Sequence, residues 1–288
     1  MLMQIIVTGL LQGVIYALIG LGLFLVFNVM RVVNFAHGYF VLIGMYGLLW
    51  LDPGSLASYL LYALAVAVAA VVFGYVIERW LLEFTLHKPG HAQLVITISL
   101  GIAMQYFFQI KFPEPYQTIA NPWPFSSVQI FGVTVSAGRL MAAIISLALT
   151  IAISWIVYRT SLGQNIRACS QSLPGAVHVG INFPWVYRST FAFGAGIAAV
   201  AGALLIPFQP VSPHYGLDLT IKAFILVVIG GVASIWGTVI AGVLLGMAES
   251  AGSVYISGSL TSSVIYLMFL LVILIRPQGL IVRKAAFA

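Results

Sequence analysis

Polar side chains are so sparse along this chain that their positions mark its architecture better than the apolar ones do. Nearly unbroken apolar runs cover residues 4–28, 33–51, 56–80, 93–110, 139–158, 188–207, 219–233, 236–251 and 260–276. Most hold about 20 residues, enough for a helix to cross a hydrocarbon core roughly 30 Å thick. The runs 219–233 and 236–251 hold only about 15 each, which is short for a full crossing. They read as tilted spans, or as two limbs of one broken element meeting at Gly230-Gly231 and Gly237. Irregular backbone at membrane depth persists only where protein or a water-filled cavity covers it. The pattern predicts an all-α polytopic membrane protein with about eight or nine transmembrane or re-entrant helices. Residues 1–288 then form a single transmembrane domain.

Composition agrees with a lipid solvent: 62% of residues are hydrophobic and 6% charged, where soluble domains carry about 25%. Ile5 to Val29 has no Lys or Arg before it and no small-residue cleavage site after it, so it reads as a retained span. The net charge of +6 comes from Lys and Arg spread thinly at span ends, which is topology charge and excludes a nucleic-acid patch. Arg79 and Lys88, with His87 and His91, assign loop 81–92 to the cytoplasm. Arg159, Arg167 and Arg188 do the same for 159–187, and Arg276, Arg283 and Lys284 for the C-terminal tail. The opposite side receives 111–138, with Pro113, Pro115, Pro122, Trp123 and Pro124, where Lys111 is balanced by Glu114. The N-terminus is thereby placed outside and the C-terminus in the cytoplasm. Cys169, the one cysteine, excludes an internal disulfide and a multi-cysteine metal site, and reads as a small packing residue.

Two stretches look alike. Val33 to Gly44 follows the first span and opens on a polar helix-start signal at Asn34; Gly216 to Gly230 follows the sixth and opens similarly at Asp218. With Asn34 on the cytoplasmic side and Asp218 on the external side, the two halves relate by inversion about the fifth span, a recurring transporter design. Gly9 with Gly13, Gly242 with Gly246, and the run Gly194 to Gly202 provide small faces for close helix packing.

The candidate pathway residues are few. Asn34 reads first as the N-cap of the second span. Together Asn28, Arg31, Asn34 and His37 also make a polar cluster of the kind that lines conduits. His37 reads as a hydrogen-bonded packing residue in preference to a proton relay. Asp218 and Lys222, four apart, read as a cap and a local pair, or alternatively as an external mouth. Glu249, near the outer end of the eighth run, is the least comfortable acid and is expected to face the bundle interior or the outer surface. No catalytic triad, paired-carboxylate arrangement or zinc pattern appears, and there is no G-x-x-x-x-G-K-[ST]. Energy must therefore come from a partner or from a gradient.

Gln164 to Asn182 form a small polar island within a long loop, 160–184, where most other loops are short. Gln164 to Gln171 predicts one or two helical turns, broken by Pro174 and Gly175; Ala176 to Val179 predicts another, ended by Gly180. A capped, basic, amphipathic knob between two spans suits docking by a soluble partner. Arg167 would meet an acidic groove there, while Ala168 and Leu173 supply apolar contact. The plainer reading is a solvated loop whose basic residues set topology.

Four segments carry a family resemblance: Val33-Asn-Phe-Ala-His-Gly38, Ser161-Leu-Gly-Gln-Asn-Ile-Arg-Ala168, His178-Val-Gly-Ile-Asn182 and Val228-Ile-Gly-Gly-Val-Ala-Ser-Ile-Trp-Gly237. With Arg276-Pro-Gln-Gly-Leu280 they resemble, in order, the permease subunits of branched-chain amino acid ABC importers. The sequence departs from the family at Ser170 and Gln171, where acidic residues are common. The resemblance implies a pore of two permease subunits in a bacterial inner membrane, two cytoplasmic ATP-binding subunits and an external solute-binding protein. ATP and Mg would be held by the partner ATPase, with no cofactor on this chain. Gly163, Arg167, Ala168, Leu173 and Gly180 would belong to the ATPase-coupling loop; Asn28, Asn34, Phe35, His37, Asp218 and Glu249 are the pathway candidates. Permeases for urea or short-chain amides share much of the pattern. A gradient-driven secondary transporter would need an intramembrane Asp, Glu or His relay, for which the chain has few residues. A channel would not need the knob at 160–184.

Overall fold

Helix α1, Leu2–Met30, is the axis of the fold. Every residue from Ile15 to Val26 is buried, as expected of a helix that is apolar all round and enclosed by others. The computed structural model describes residues 1–31, 33–85, 88, 90–119, 126–130, 132–232, 234–255, 261–276 and 278–281. His87, Pro122, Trp123, Pro124, Arg283 and Lys284, used above to assign loops, lie outside the described residues.

Glycine decides what lies against α1. Helix α10, Ile235–Tyr255, runs antiparallel to it. Gly9 packs on Met247, Gly13 on Val243 and Gly246, Ala17 on Gly242, and Gly20 on Thr238. The two small-residue pairs seen in the sequence are thus each other's partners, and backbone approaches backbone where lipid supplies no hydrophobic drive. Helix α8, Phe183–Leu205, does the same for three neighbours. Its Gly194 meets Gly22 of α1, and its Gly196 meets Val71 of α3, Leu56–Ile77. Its Ala199 and Gly202 meet Gly44 and Val41 of α2, His37–Leu51.

Helix α2 has 15 residues and α9, Tyr215–Gly230, has 16, about 22–24 Å of rise and short of a full crossing. The expectation of a full span over 33–51 is corrected: α1 ends at Met30, and the chain returns without helix to depth before α2 begins. His37 Nε2 lies 3.0 Å from the Ile19 carbonyl, well inside α1. Helix α9 starts against the start of α2, where the Gly38 N–H donates to Thr220 Oγ1 at 2.8 Å. From there α2 runs beside the second half of α4, Gly90–Lys111, with Tyr46 stacked on Phe108 and Phe112 at 4.7 and 4.5 Å. Helix α9 runs the other way along α1, from Lys222 over Tyr16 to Leu226 against Gly20. The inverted repeat expected of these two segments placed their starts on opposite sides of the membrane. The starts at Asn34 and Asp218 do not lie on opposite surfaces, however; the two segments meet inside the bundle.

Gly230 packs on Gly237, as the broken-element reading required. Helix α10 is nevertheless 21 residues long and apolar enough to cross, which corrects the short estimate for 236–251. Among the described residues six helices have span length: α1, α3 with its extension to Thr85, α4, α5 at Ala137–Arg159, α8 and α10. Helix α11, Thr261–Ile275, leans on α9 through Phe224 and Phe269, 6.3 Å apart. Between α5 and α8 lie α6, Ser161–Gln171, and α7, Leu173–His178. The result is an all-α polytopic membrane protein, with one addition. A hairpin of β1, Ser127–Ile130, and β2, Val133–Ser136, precedes α5 and turns through Gly132 at φ 76°.

Outward faces are apolar, aromatic in places and mainly aliphatic on α3 and α5. Leu60, Leu61, Leu64, Val68 and Val72 line α3, and Ile144, Leu147 and Ile151 line α5. Hydrocarbon is the solvent such stripes suit.

Candidate functional site

The polar island folds as three helix starts in succession, each capped by its own side chain. Thr160 Oγ1 accepts from the Gly163 N–H at 3.2 Å, Ser172 Oγ from Gly175 at 3.1 Å, and Asn182 Oδ1 from Trp185 at 3.2 Å. The break falls at Ser172, not at Pro174, which occupies the first turn of α7 where a missing N–H costs nothing. Gly180, at φ 83°, ends the second helix as expected.

The inner face of this knob is turned to the bundle. Gly163 lies against the carbonyls of Ile156 and Val157, and Ile166, Cys169 and Ala176 are buried. Arg167 donates to the Val157 carbonyl and lies 5.9 Å from the Tyr158 ring. Ala168 and Leu173 are partly buried against the same core. Of the five loop candidates only Gly180 is exposed. The free surface includes Gln164 and Gln171 of α6 and, past its end, Pro174, Val177, His178 and Val179, with Val177 47% and Val179 75% exposed. The amphipathic pattern showed that α6 has an apolar face, but not that this chain covers it. Valines beside His178 and Gly180, past the end of α6, were the available signal.

Two ties join the knob to the spans, and a third joins two spans beside it. Gly163 and Arg167 hold α6 to the end of α5. Arg31, in the left-handed conformation at φ 57° after α1, donates to the Ser170 carbonyl. Arg188, on the first turns of α8, pairs with Glu83 at 2.5 Å and Glu78 at 3.6 Å, on the π and 3-10 turns that extend α3. Cys169 lies on the buried face of α6, and burial pushes its thiol above the usual range. Because the thiolate is the reactive form, Cys169 should alkylate at neutral pH about tenfold more slowly than a cysteine at the exposed Val179. A maleimide time course on the unaltered chain and on Val179→Cys/Cys169→Ala checks this.

Among the pathway candidates the structure brings some together and separates others. Asn34 does not cap α2. Its Oδ1 accepts from the Ala36 N–H at 3.0 Å, a turn two residues on, and Ala36 holds the cap position without a side-chain bond. Asn28 donates back to the Phe24 carbonyl at 3.0 Å. His37 is fully buried and spends Nε2 on Ile19. The Phe35 carbonyl accepts from Thr220 Oγ1 at 3.2 Å, so it stands where α2 and α9 meet. A shallow cavity lined by Val26, Met30, Val33, Asn34, Leu82, Gln93, Thr97 and Phe191 opens beside Asn34. Among the described residues no three or more His, Cys, Asp or Glu side chains are placed to share a metal.

The acids converge elsewhere. Lys222, 5% exposed, is 3.1 Å from Asp218 Oδ2 and 3.1 Å from Glu249 Oε1, between the rings of Tyr16 and Tyr215 at 5.3 and 5.6 Å. Asp218 is in the first turn of α9, not its cap, which is His214. Glu249 faces the interior, joining α10 to α9. The four-residue spacing foretold half of this pair network. Its other half spans 27 positions and has no local signature.

The model of the family described as branched-chain amino acid transport system / permease component matches residues 5–273. The chain belongs to that family. Over 299 residues, 98% of this chain and 96% of the relative, it is 30% identical to the high-affinity branched-chain amino acid transport system permease protein LivH of Salmonella typhimurium. It is also 30% identical, over 98% of this chain and 96% of the relative, to the BraD permease of the corresponding system in Pseudomonas aeruginosa. A probable LivH of Methanocaldococcus jannaschii is 23% identical over 91% of the chain and 87% of the relative. No solved structure is significantly similar. As a branched-chain permease family member the chain is a transport protein of the membrane.

Proposed function

We propose that this chain is one of two permease subunits of an ATP-binding-cassette importer in the bacterial inner membrane. It passes branched-chain or other amino acids by alternating access. End-to-end similarity to permeases of branched-chain amino acid transport systems carries the reading. A solute-binding protein delivers cargo outside, and two ATPase subunits hold ATP and Mg in the cytoplasm. The N-terminus faces out and the C-terminus in.

The knob supplies the mechanical side of this reading. A partner pressing on Val177 and Val179 moves a rigid, capped pair of helices, because Gly163 and Arg167 pin it to α5. Arg31 passes the displacement to α1. Arg188, a few residues beyond the knob, passes it to α3. Charges buried against an apolar docking surface are costly to desolvate. Val177→Asp with Val179→Asp should therefore lower ATPase co-purification about tenfold or more, at unchanged membrane level. Full complex yield from that variant, or uptake by the chain alone in ATP-free proteoliposomes, would defeat the proposal.

A further inference from the structure

We propose that the second half of α4 and the start of α9 form a wall of a water-filled route for a small neutral or zwitterionic solute. This rests on the transport reading above and says where on this chain the solute passes. Gln105, Gln109 and His214 make the wall. Tyr39 Oη donates to Gln105 Oε1 at 2.8 Å, and Gln105 Nε2 lies 3.0 Å from His214 Nδ1. Because Tyr39 occupies the Gln105 oxygen, Gln105 donates, and Nδ1 must accept. In a neutral ring the proton then sits on Nε2, 3.1 Å from Gln109 Nε2, so the Gln109 amide must turn its oxygen toward the ring to receive it. None of the three wall side chains carries a fixed charge.

His214 is exposed and the two glutamines are half-exposed. Gln105 lies six residues before the end of α4 at Lys111, about 9 Å inside it. Hydrocarbon would leave imidazole and amide groups there without water for their remaining donors and acceptors, which a lipid-facing surface avoids. The stripes on α3 and α5 show how this chain faces lipid: with Leu, Val and Ile. The wall also adjoins the α2–α9 meeting point, since Gly216 and Gly101 both pack on the Tyr39 ring. Asp218, one turn along α9 and partly exposed, accepts from Tyr266 Oη at 3.3 Å and shares Lys222 with Glu249. The wall's own donors and acceptors, with no fixed charge among them, suit a solute carrying both, held weakly enough to leave.

The test uses Cys169→Ala as background and places single cysteines at Gln109, at Leu217, at Leu64 and at Val68, in the full complex in membranes. Leu217 is 48% exposed on the first turn of α9 and leaves the hydrogen-bond chain intact. A membrane-impermeant methanethiosulfonate should modify Gln109→Cys and Leu217→Cys about tenfold faster than the lipid-facing Leu64→Cys and Val68→Cys, and leucine at millimolar concentration should slow only the first two. Rates at Gln109 and Leu217 equal to those at Leu64 and Val68 overturn the proposal, whether lipid or a dry subunit contact covers the face. The labelling contrast needs no ATP turnover, so it survives even if the energy source has been assigned wrongly.

Discussion

A Lys222→Met chain is expected to accumulate in the membrane at roughly a tenth of the normal level or less. Lys222 is almost wholly buried and balances two carboxylates at 3.1 Å each. Removing it leaves Asp218 and Glu249 as like charges in a low-dielectric setting. Breaking a buried pair from one side costs about 3–5 kcal/mol. Here the lower end applies, because the two carboxylate side chains are 28% and 24% exposed and partly screened. Even about 3 kcal/mol changes the folded-to-unfolded ratio more than 100-fold. The triple variant Lys222→Met/Asp218→Asn/Glu249→Gln removes the charges together and should recover most of the loss, since replacing a whole buried ion cluster is often neutral. Quantitative immunoblotting and gel-filtration profiles in detergent check both. Equal amounts of Lys222→Met and unaltered protein would show that the cluster does not tie α9 to α10.

What the sequence showed and hid follows the range of the interaction. Apolar runs located all nine long elements because a span must be apolar over its own length. Gly9, Gly13, Gly242 and Gly246 announced close packing, but not that they pack on one another, since nothing local relates positions more than 200 apart. The knob's helices were legible from the run Gln164 to Gln171 and from Gly180, although the break was read at Pro174 and falls at Ser172. Its outward face was not, because amphipathicity is the same whether the apolar side meets a partner or α5. Arg167 shows the cost of that ambiguity: a long basic side chain in a loop reads as a partner contact, yet it returns to Val157 ten residues earlier. The hairpin at Ser127–Ser136 was there to be read in the alternation Ser-Val-Gln-Ile and Val-Thr-Val-Ser. Prolines and aromatics just before it drew the whole stretch into a loop. His214 had no signal at all, its partners lying 109 and 105 positions away on another helix.

Gly38→Val is expected to abolish the fold, and Gly38→Ala to lower the apparent melting temperature by about 5 °C or more. A Cβ at Gly38 would run into the Gly216 carbonyl and the Thr220 amide and hydroxyl, two of them backbone groups that cannot rotate away. Helix α2 has no room to retreat. On its other side Gly44 is already against the Ala199 carbonyl, and Val41 carries Gly202 on its own carbonyl. Overpacking of this kind costs about 1–3 kcal/mol when neighbours shift, and more when two helices must separate. Gly54→Ala is the control, since no atom lies within 4 Å of the added methyl and the site is in the connection between α2 and α3. Thr220→Val separates shape from bonding. It keeps the side-chain volume while removing the acceptor of the Gly38 N–H, and should cost about 1–3 kcal/mol as an unsatisfied buried amide. If Gly38→Ala melts with Gly54→Ala, the two half-helices do not touch at their starts, and the inverted pair would need another point of contact. If instead Gly38→Ala and Thr220→Val both lower the melting temperature and slow uptake, the junction holds shape and movement together.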